Sequence, residues 1–143
     1  MTMLTTSESP VALSRRLRVT ACAAVAVARL LVALSPRRLQ MALRLLRTGS
    51  RPANTALALN ARQAVVTVSA RCAGQGCLQR SVATAVLCRL HGGWPDWCTG
   101  VRSRPFRAHA WVEVDGAAIG EIDDMALFRT TMSVRHPGAG KLL

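Results

Sequence analysis

The sequence predicts an α+β fold, with helices filling the first two thirds of the chain and an antiparallel sheet the last third. Three observations predict it. Apolar residues recur at helical spacing from residue 13 to residue 90, short apolar stretches alternate with turn residues after Gly92-Gly93, and half the residues are hydrophobic. The length of 143 residues suits one domain, and that much apolar side chain supplies a core for it. Aromatics are only 3%, so Leu, Val and Ala must fill most of the interior.

Residues 1–12 are polar and lack a period, so a frayed N-terminus is expected. A first helix is expected over 13–34. Its opening, Ser14-Arg15-Arg16-Leu17-Arg18 before the apolar run Val19 to Ala28, has the grammar of a secretory or twin-arginine signal. Against that, Leu30 to Leu34 carry the apolar pattern on past Arg29, and a ten-residue run is too short to span a bilayer. A partly buried helix is the better reading, with membrane-surface contact through it a minor alternative.

Ser35-Pro36 reads as an N-cap followed by proline at the first helical position, and Leu39, Leu43 and Leu46 continue at helical spacing to a stop at Gly49. A third helix is expected over Thr55 to Val68 with Asn54 as its cap, although Val65, Val66 and Val68 also suit a strand. The stretch 71–77 reads as a glycine-bearing loop. From Cys77 a further helix is expected, with Leu78, Val82, Val86, Leu87 and Leu90 on one broad face.

The strands expected next are Trp97 to Arg102, Ala108 to Val114 and Ala117 to Ile122, the last two joined by Asp115-Gly116, with a short one at Met132 to Val134. Residues 136–143 read as a flexible tail. Together these divide the chain into a helical part at 13–70 and a core at 71–135.

Charge is uneven. Residues 1–71 hold eleven arginines and one glutamate, a net +10, against +2 for the remainder. A basic surface attracts nucleic acid, anionic lipid or acidic protein. Few aromatics are available for stacking and no recognition motif appears, so no nucleic-acid partner is expected. A non-enzymatic basic binding module stays as an alternative. The five cysteines, an odd number without a tight framework, suit a reducing compartment and a cytoplasmic location.

Cys77 stands where a glycine loop becomes a helix. The positive end of the helix dipole would lower its thiol from the usual value near 8.5. Its own N–H or that of Leu78 would face a developing oxyanion, Gln75 could add a donor, and Gly74 and Gly76 would let a substrate backbone approach. A cysteine so placed can equally be structural.

On a strand, His109, Trp111 and Glu113 share one face, opposite a plain core face of Ala110, Val112 and Val114. A histidine there can serve as a base or simply be a hydrogen-bonded strand residue. Trp111 would wall an active site or pack in the core. Glu121, Asp123 and Asp124 are the candidates to orient the imidazole, and register chooses among them. A two-residue turn at Asp115-Gly116 pairs His109 with Ile122 and puts Asp124 on its face. A three-residue loop pairs it with Asp123, with Glu121 diagonal.

Zinc is a rival reading, through Cys72, Cys77, Cys88, His91 and Cys98. The first pair is loosely spaced, and Cys88 and His91 fall within a helix. Arg102 reads as a partner for an acid near the site, and Trp94 and Trp97 as core caps after the glycine break.

Cys77-Leu78-Gln79-Arg80-Ser81, Gly100-Val101-Arg102, Pro105-Phe106 and His109-Ala110-Trp111-Val112-Glu113-Val114-Asp115-Gly116 resemble the lasso-peptide leader peptidases of the transglutaminase-like cysteine-peptidase superfamily. The resemblance covers residues 13–135, and the interval from Cys77 to His109 matches too. It implies a papain-like core, a helix carrying Cys77 packed on a sheet carrying His109, and a cysteine peptidase that removes the leader from a ribosomally made precursor. It implies Cys77 as nucleophile and His109 as base, with no metal or organic cofactor. In the family an aspartate follows the histidine by twelve residues. Here that position is Glu121, a departure that favours Glu121 as the third member and keeps Asp123 as the alternative. The family's fused members carry a leader-recognition domain that this sequence lacks. The expected partners are therefore a precursor peptide, a separate recognition protein and an ATP-dependent lasso cyclase. A transglutaminase-like acyltransferase is the nearest alternative, because pocket shape chooses the acceptor.

Overall fold

A computed structural model describes residues 11–121 and 125–137. The expected α+β architecture is what forms. Three helices begin at caps legible in the local sequence. The Ser14 hydroxyl accepts from the Leu17 N–H to open α1 (Arg15–Leu31). Ser35, followed by Pro36, opens α2 (Pro36–Arg47). The Asn54 side chain accepts from the Leu57 N–H at 2.7 Å to open α3 (Thr55–Val68). Each such cap satisfies one of the donors that a helix start leaves unpaired, a contribution of about 1 kcal/mol.

A short α4 (Ala70–Ala73) takes up residues 71–73 of the stretch that reads as loop in the sequence, because Ser69 caps it by accepting from the Cys72 N–H. Then comes α5 (Cys77–Leu90), which packs against α1, α3 and the sheet. The sequence suggests one apolar face for α5. The structure instead buries every residue from Gln79 to Cys88. Alanines permit this enclosure: Ala21, Ala24 and Ala28 of α1 and Ala58, Ala61 and Ala64 of α3 are buried in the same cluster as Val82, Ala85 and Leu87. Small side chains let helix backbones approach closely, and interior packing leaves few voids. Leu90, expected on the apolar face, is exposed.

The sheet has strand order β5-β4-β3-β6, built from β3 (Asp96–Ser103), β4 (Phe106–Val114), β5 (Ala117–Ala118) and β6 (Arg129–Val134). All three pairings are antiparallel. A separate parallel pair joins β1 (Arg51–Pro52) to β2 (Gly93–Trp94), tying the α2–α3 connection to the end of α5. Trp94 and Trp97 are fully buried, and their indole N–H groups donate to the Val134 carbonyl and the Ser81 hydroxyl. A large ring can be buried this way because its polar edge keeps a partner.

The strand expected at Ala117 to Ile122 stops at Ala118. Asp115 (φ 52°) and Gly116 (φ 81°) make the two-residue turn, pairing Val114 with Ala117 and Glu113 with Ala118. Gly120, at φ 68°, then turns the chain off the ladder. Of the stretches expected to fray, 1–10 and 138–143 lie outside the described residues, whereas Val11 is bonded to Thr67 and His136 to Asp96. Among the described residues no helix is long and apolar enough to cross a membrane.

Candidate active site

Cys77 is the first residue of α5, directly after Gly76. The approach to it is tightly folded. The Gly76 N–H donates to the Arg71 carbonyl, and the Cys77 N–H donates to the Gln75 carbonyl at 2.9 Å. A side chain at Gly76 would collide with the Arg71 carbonyl and stem, so glycine is needed there for close approach. Buried Arg80 braces the same loop from within α5, donating to the carbonyls of Cys72 and Gly74 at 3.1 Å each.

Among the described residues β5 pairs with β4 only at Glu113 and Val114, and Cys77 meets β4 beyond that pairing, at His109 and Ala110. The sulfur is hydrogen-bonded to the His109 ring and to the Ala110 backbone. The His109 Nε2 lies 2.8 Å from Glu121 Oε2, which leaves Nδ1 as the nitrogen facing sulfur. Glu121 Oε1 in turn lies 3.9 Å from the Arg62 guanidinium of α3. His109, Glu121 and Arg62 are all buried.

Glu121 arrives by a route that strand alternation does not describe. The observed two-residue turn would pair His109 with Ile122. The turn at Gly120 takes Glu121 out of that register and brings it to the imidazole. Gly120 also makes room for Arg62, whose stem and guanidinium a side chain at that position would strike. Asp123 and Asp124, the other acids considered, lie outside the described residues.

Burial sets the baseline for all three titrating groups, and their neighbours overturn it. Burial would raise the Cys77 thiol, but hydrogen bonds from His109 and the Ala110 backbone, with the charges of His109 and Arg80, leave it below its ordinary value. Burial would lower His109, yet its bonds to Cys77 and Glu121 push it up to about 9. Burial would raise Glu121, yet the bond and charge of His109, then Arg62 and Arg80, hold it below the ordinary carboxylate value. All three shifts favour the charged forms, so each group of the thiolate–imidazolium–carboxylate set stabilises its neighbour's charge. The other buried cysteines go the opposite way. Burial pushes Cys88 and Cys98 up to about 12 and also raises Cys72.

The sulfur opens onto a cleft of about 450 Å³ between the end of α1 and the α4–α5 loop. Gln75, Gly76 and Leu78 line it, together with Arg29 and Arg71. Among the described residues, no acceptor is bonded to the N–H of Leu78 or Gln79 in the first turn of α5. A thiolate beside a charged histidine, with open backbone donors and a cleft, is the equipment for acyl transfer.

Residues 21–133 match the family model of the transglutaminase-like superfamily. The chain belongs to that superfamily. Membership carries cysteine peptidase or acyltransferase chemistry, and the matched segment includes Cys77, His109 and Glu121. No curated protein and no solved structure matches the chain significantly.

Within this transglutaminase-like domain the remaining residues singled out in the sequence fall as follows. The Cys77 N–H is occupied by Gln75, so of the two backbone donors considered Leu78 is the open one. Gln75 contributes its carbonyl to the turn, and its side chain is exposed. Trp111 stands behind the imidazole instead of lining the cleft. Its ring stacks on His109 at 6.0 Å between centroids and 14° between planes, and its N–H donates to Glu113. Trp111 also packs with Cys98 and Phe128 in a second cluster, so both faces of β4 are covered. Arg102 lies over the Phe128 ring at 5.5 Å and bonds the Pro105 carbonyl. Cys72, Cys88, His91 and Cys98 do not converge, and no group of three or more metal-binding side chains exists among the described residues.

Two residues at the site escape a reading of the sequence. Arg62 gives a signal, since it sits at helical spacing with Ala58 and Val65 on a buried stripe, where a charge needs a counter-charge. Arg80 likewise interrupts the buried run of α5. Neither signal names the partner, which comes from a distant segment.

Proposed function

We propose that this protein is a cysteine peptidase that cuts the leader from a lasso-peptide precursor, acting in the cytoplasm with a separate leader-recognition protein. The observation that carries the reading is the line Cys77–His109–Glu121 at the head of α5 inside a transglutaminase-like domain. The motif intervals from Cys77 to Gly116 support the narrower assignment to leader removal.

The Cys77 thiolate attacks the carbonyl at the leader–core junction, forming a C–S bond and a tetrahedral oxyanion. The Leu78 N–H faces that oxygen. As the C–N bond breaks, the His109 imidazolium gives its proton to the leaving amine of the core. Water then adds to the thioester while His109 takes a proton. Collapse releases the leader carboxylate and restores the thiolate. Glu121 holds the imidazole in orientation and stabilises its charged form, and Arg62 holds Glu121. The freed core amine passes to an ATP-dependent cyclase.

The test incubates the protein with a candidate precursor and recognition protein and reads peptide masses, beside Cys77→Ala and His109→Ala. One cut at the leader–core junction, lost in both variants by about 10⁴-fold or more, is expected. A cut that survives Cys77→Ala contradicts the assignment. Transfer of the leader acyl group to an added amine in preference to water makes the domain an acyltransferase instead.

A further inference from the structure

The cleft over Cys77 has two arginines in its walls and no acid among the residues that line it. They come from separate elements, Arg29 from the last turn of α1 and Arg71 from α4. Neither forms an ion pair with a described residue, although other arginines nearby, such as Arg62, do. The backbone and stem of Arg71 are placed against Gly76, next to Cys77 in the chain: the stem lies beside Gly76 and the carbonyl accepts from the Gly76 N–H. The helix carrying Arg29 is fixed by the buried alanines of α1. The charges that act on the Cys77 thiol are His109 and Arg80, and Arg71 acts on the neighbouring Cys72. Glu121, the acid bonded to His109, is engaged by that ring and by Arg62.

Two arginines that line one cleft make it positive, and a carboxylate bound there offsets that charge and accepts hydrogen bonds from their guanidinium groups. We propose that this cleft is the subsite for an Asp or Glu side chain of the substrate beside the scissile bond, with Arg29 and Arg71 as its specificity-determining residues. The assignment rests on the peptidase reading for its substrate, whereas the positive cleft stands on the arginines alone.

The test uses the charge of small alkylating agents. In a Cys22→Ser background, which removes the exposed thiol, the rates at Cys77 are measured with anionic iodoacetate and neutral iodoacetamide. Arg29→Gln/Arg71→Gln is expected to lower the iodoacetate-to-iodoacetamide ratio about fivefold and to leave the iodoacetamide rate within about twofold. Arg29→Glu/Arg71→Glu lowers the ratio further. An unchanged ratio in both double variants overturns the proposal, and a retained iodoacetamide rate shows that the site is folded. End-capped Gly-Glu-Gly is expected to protect Cys77 from iodoacetamide more than end-capped Gly-Gln-Gly does. Equal protection by the two, or none by either, overturns the acidic-peptide assignment. If the ratio shifts as expected but no precursor is cut, the anionic subsite stands and the leader-peptidase reading falls.

Discussion

Two charged networks grow from the same hairpin of β3 and β4, about 13 Å apart along β4 at strand rise. At one end His109, opposite Gly100, joins Glu121 and Arg62. At the other, Asp96 and Glu113 sit directly opposite each other, a like-charge pair that Arg135 bridges at 3.5 Å and 2.8 Å. Burial acts on both, with different results. Glu121 lies below its ordinary value because its main cation is a buried, hydrogen-bonded imidazole. Asp96 lies above its own. Burial and the Glu113 charge prevail there over the His136 N–H and over Arg135, whose side chain is 41% exposed. The difference teaches that a buried carboxylate is kept ionised by a cation that shares its burial. A solvent-screened one does less. The first network ends on Cys77, a thiol lowered by its neighbours that lines a cleft, whereas the second surrounds Cys98, a buried thiol pushed up to about 12.

The comparison can be broken at either end. The largest effect is expected from Glu121→Gln, which keeps the shape and removes the charge. Acyl transfer should fall about a hundredfold or more. The imidazolium of the native protein is present below about 9 and lost as the pH rises through that value. Without Glu121 that loss must come at lower pH, so the alkaline limb of the rate profile moves down. Arg62→Met comes next. It removes the α3 cation paired with buried Glu121 and leaves His109 and Arg80, and urea unfolding should show a loss of about 3 kcal/mol with a roughly tenfold drop in rate. Arg135→Gln should do least, no more than about 1 kcal/mol in the same unfolding measurement with the transfer rate unchanged. If Arg135→Gln matched Arg62→Met, the contrast between shared and screened burial would fail.

The same contrast explains what the sequence reveals. The starts of α1, α2 and α3 are legible because Ser14, Ser35-Pro36 and Asn54 act within one turn of themselves. Cys77 is legible as a helix start because a glycine precedes it, and His109 because β4 alternates cleanly. The fold class follows from these local signals. What escapes is non-local. The β1–β2 pair rests on two residues of each strand, meeting across more than forty positions. The enclosure of α5 depends on alanines in other helices. Spacing leaves Glu121, Asp123 and Asp124 open because the deciding event is the turn at Gly120, where the chain leaves its register and passes Arg62.

His109 holds Cys77 toward its thiolate form. The pH dependence of iodoacetamide alkylation at Cys77, in the Cys22→Ser background with and without His109→Ala, measures this. A midpoint below the usual thiol value of about 8.5 that rises when His109 is removed is the predicted result. A midpoint at or above that value that ignores His109 would contradict it.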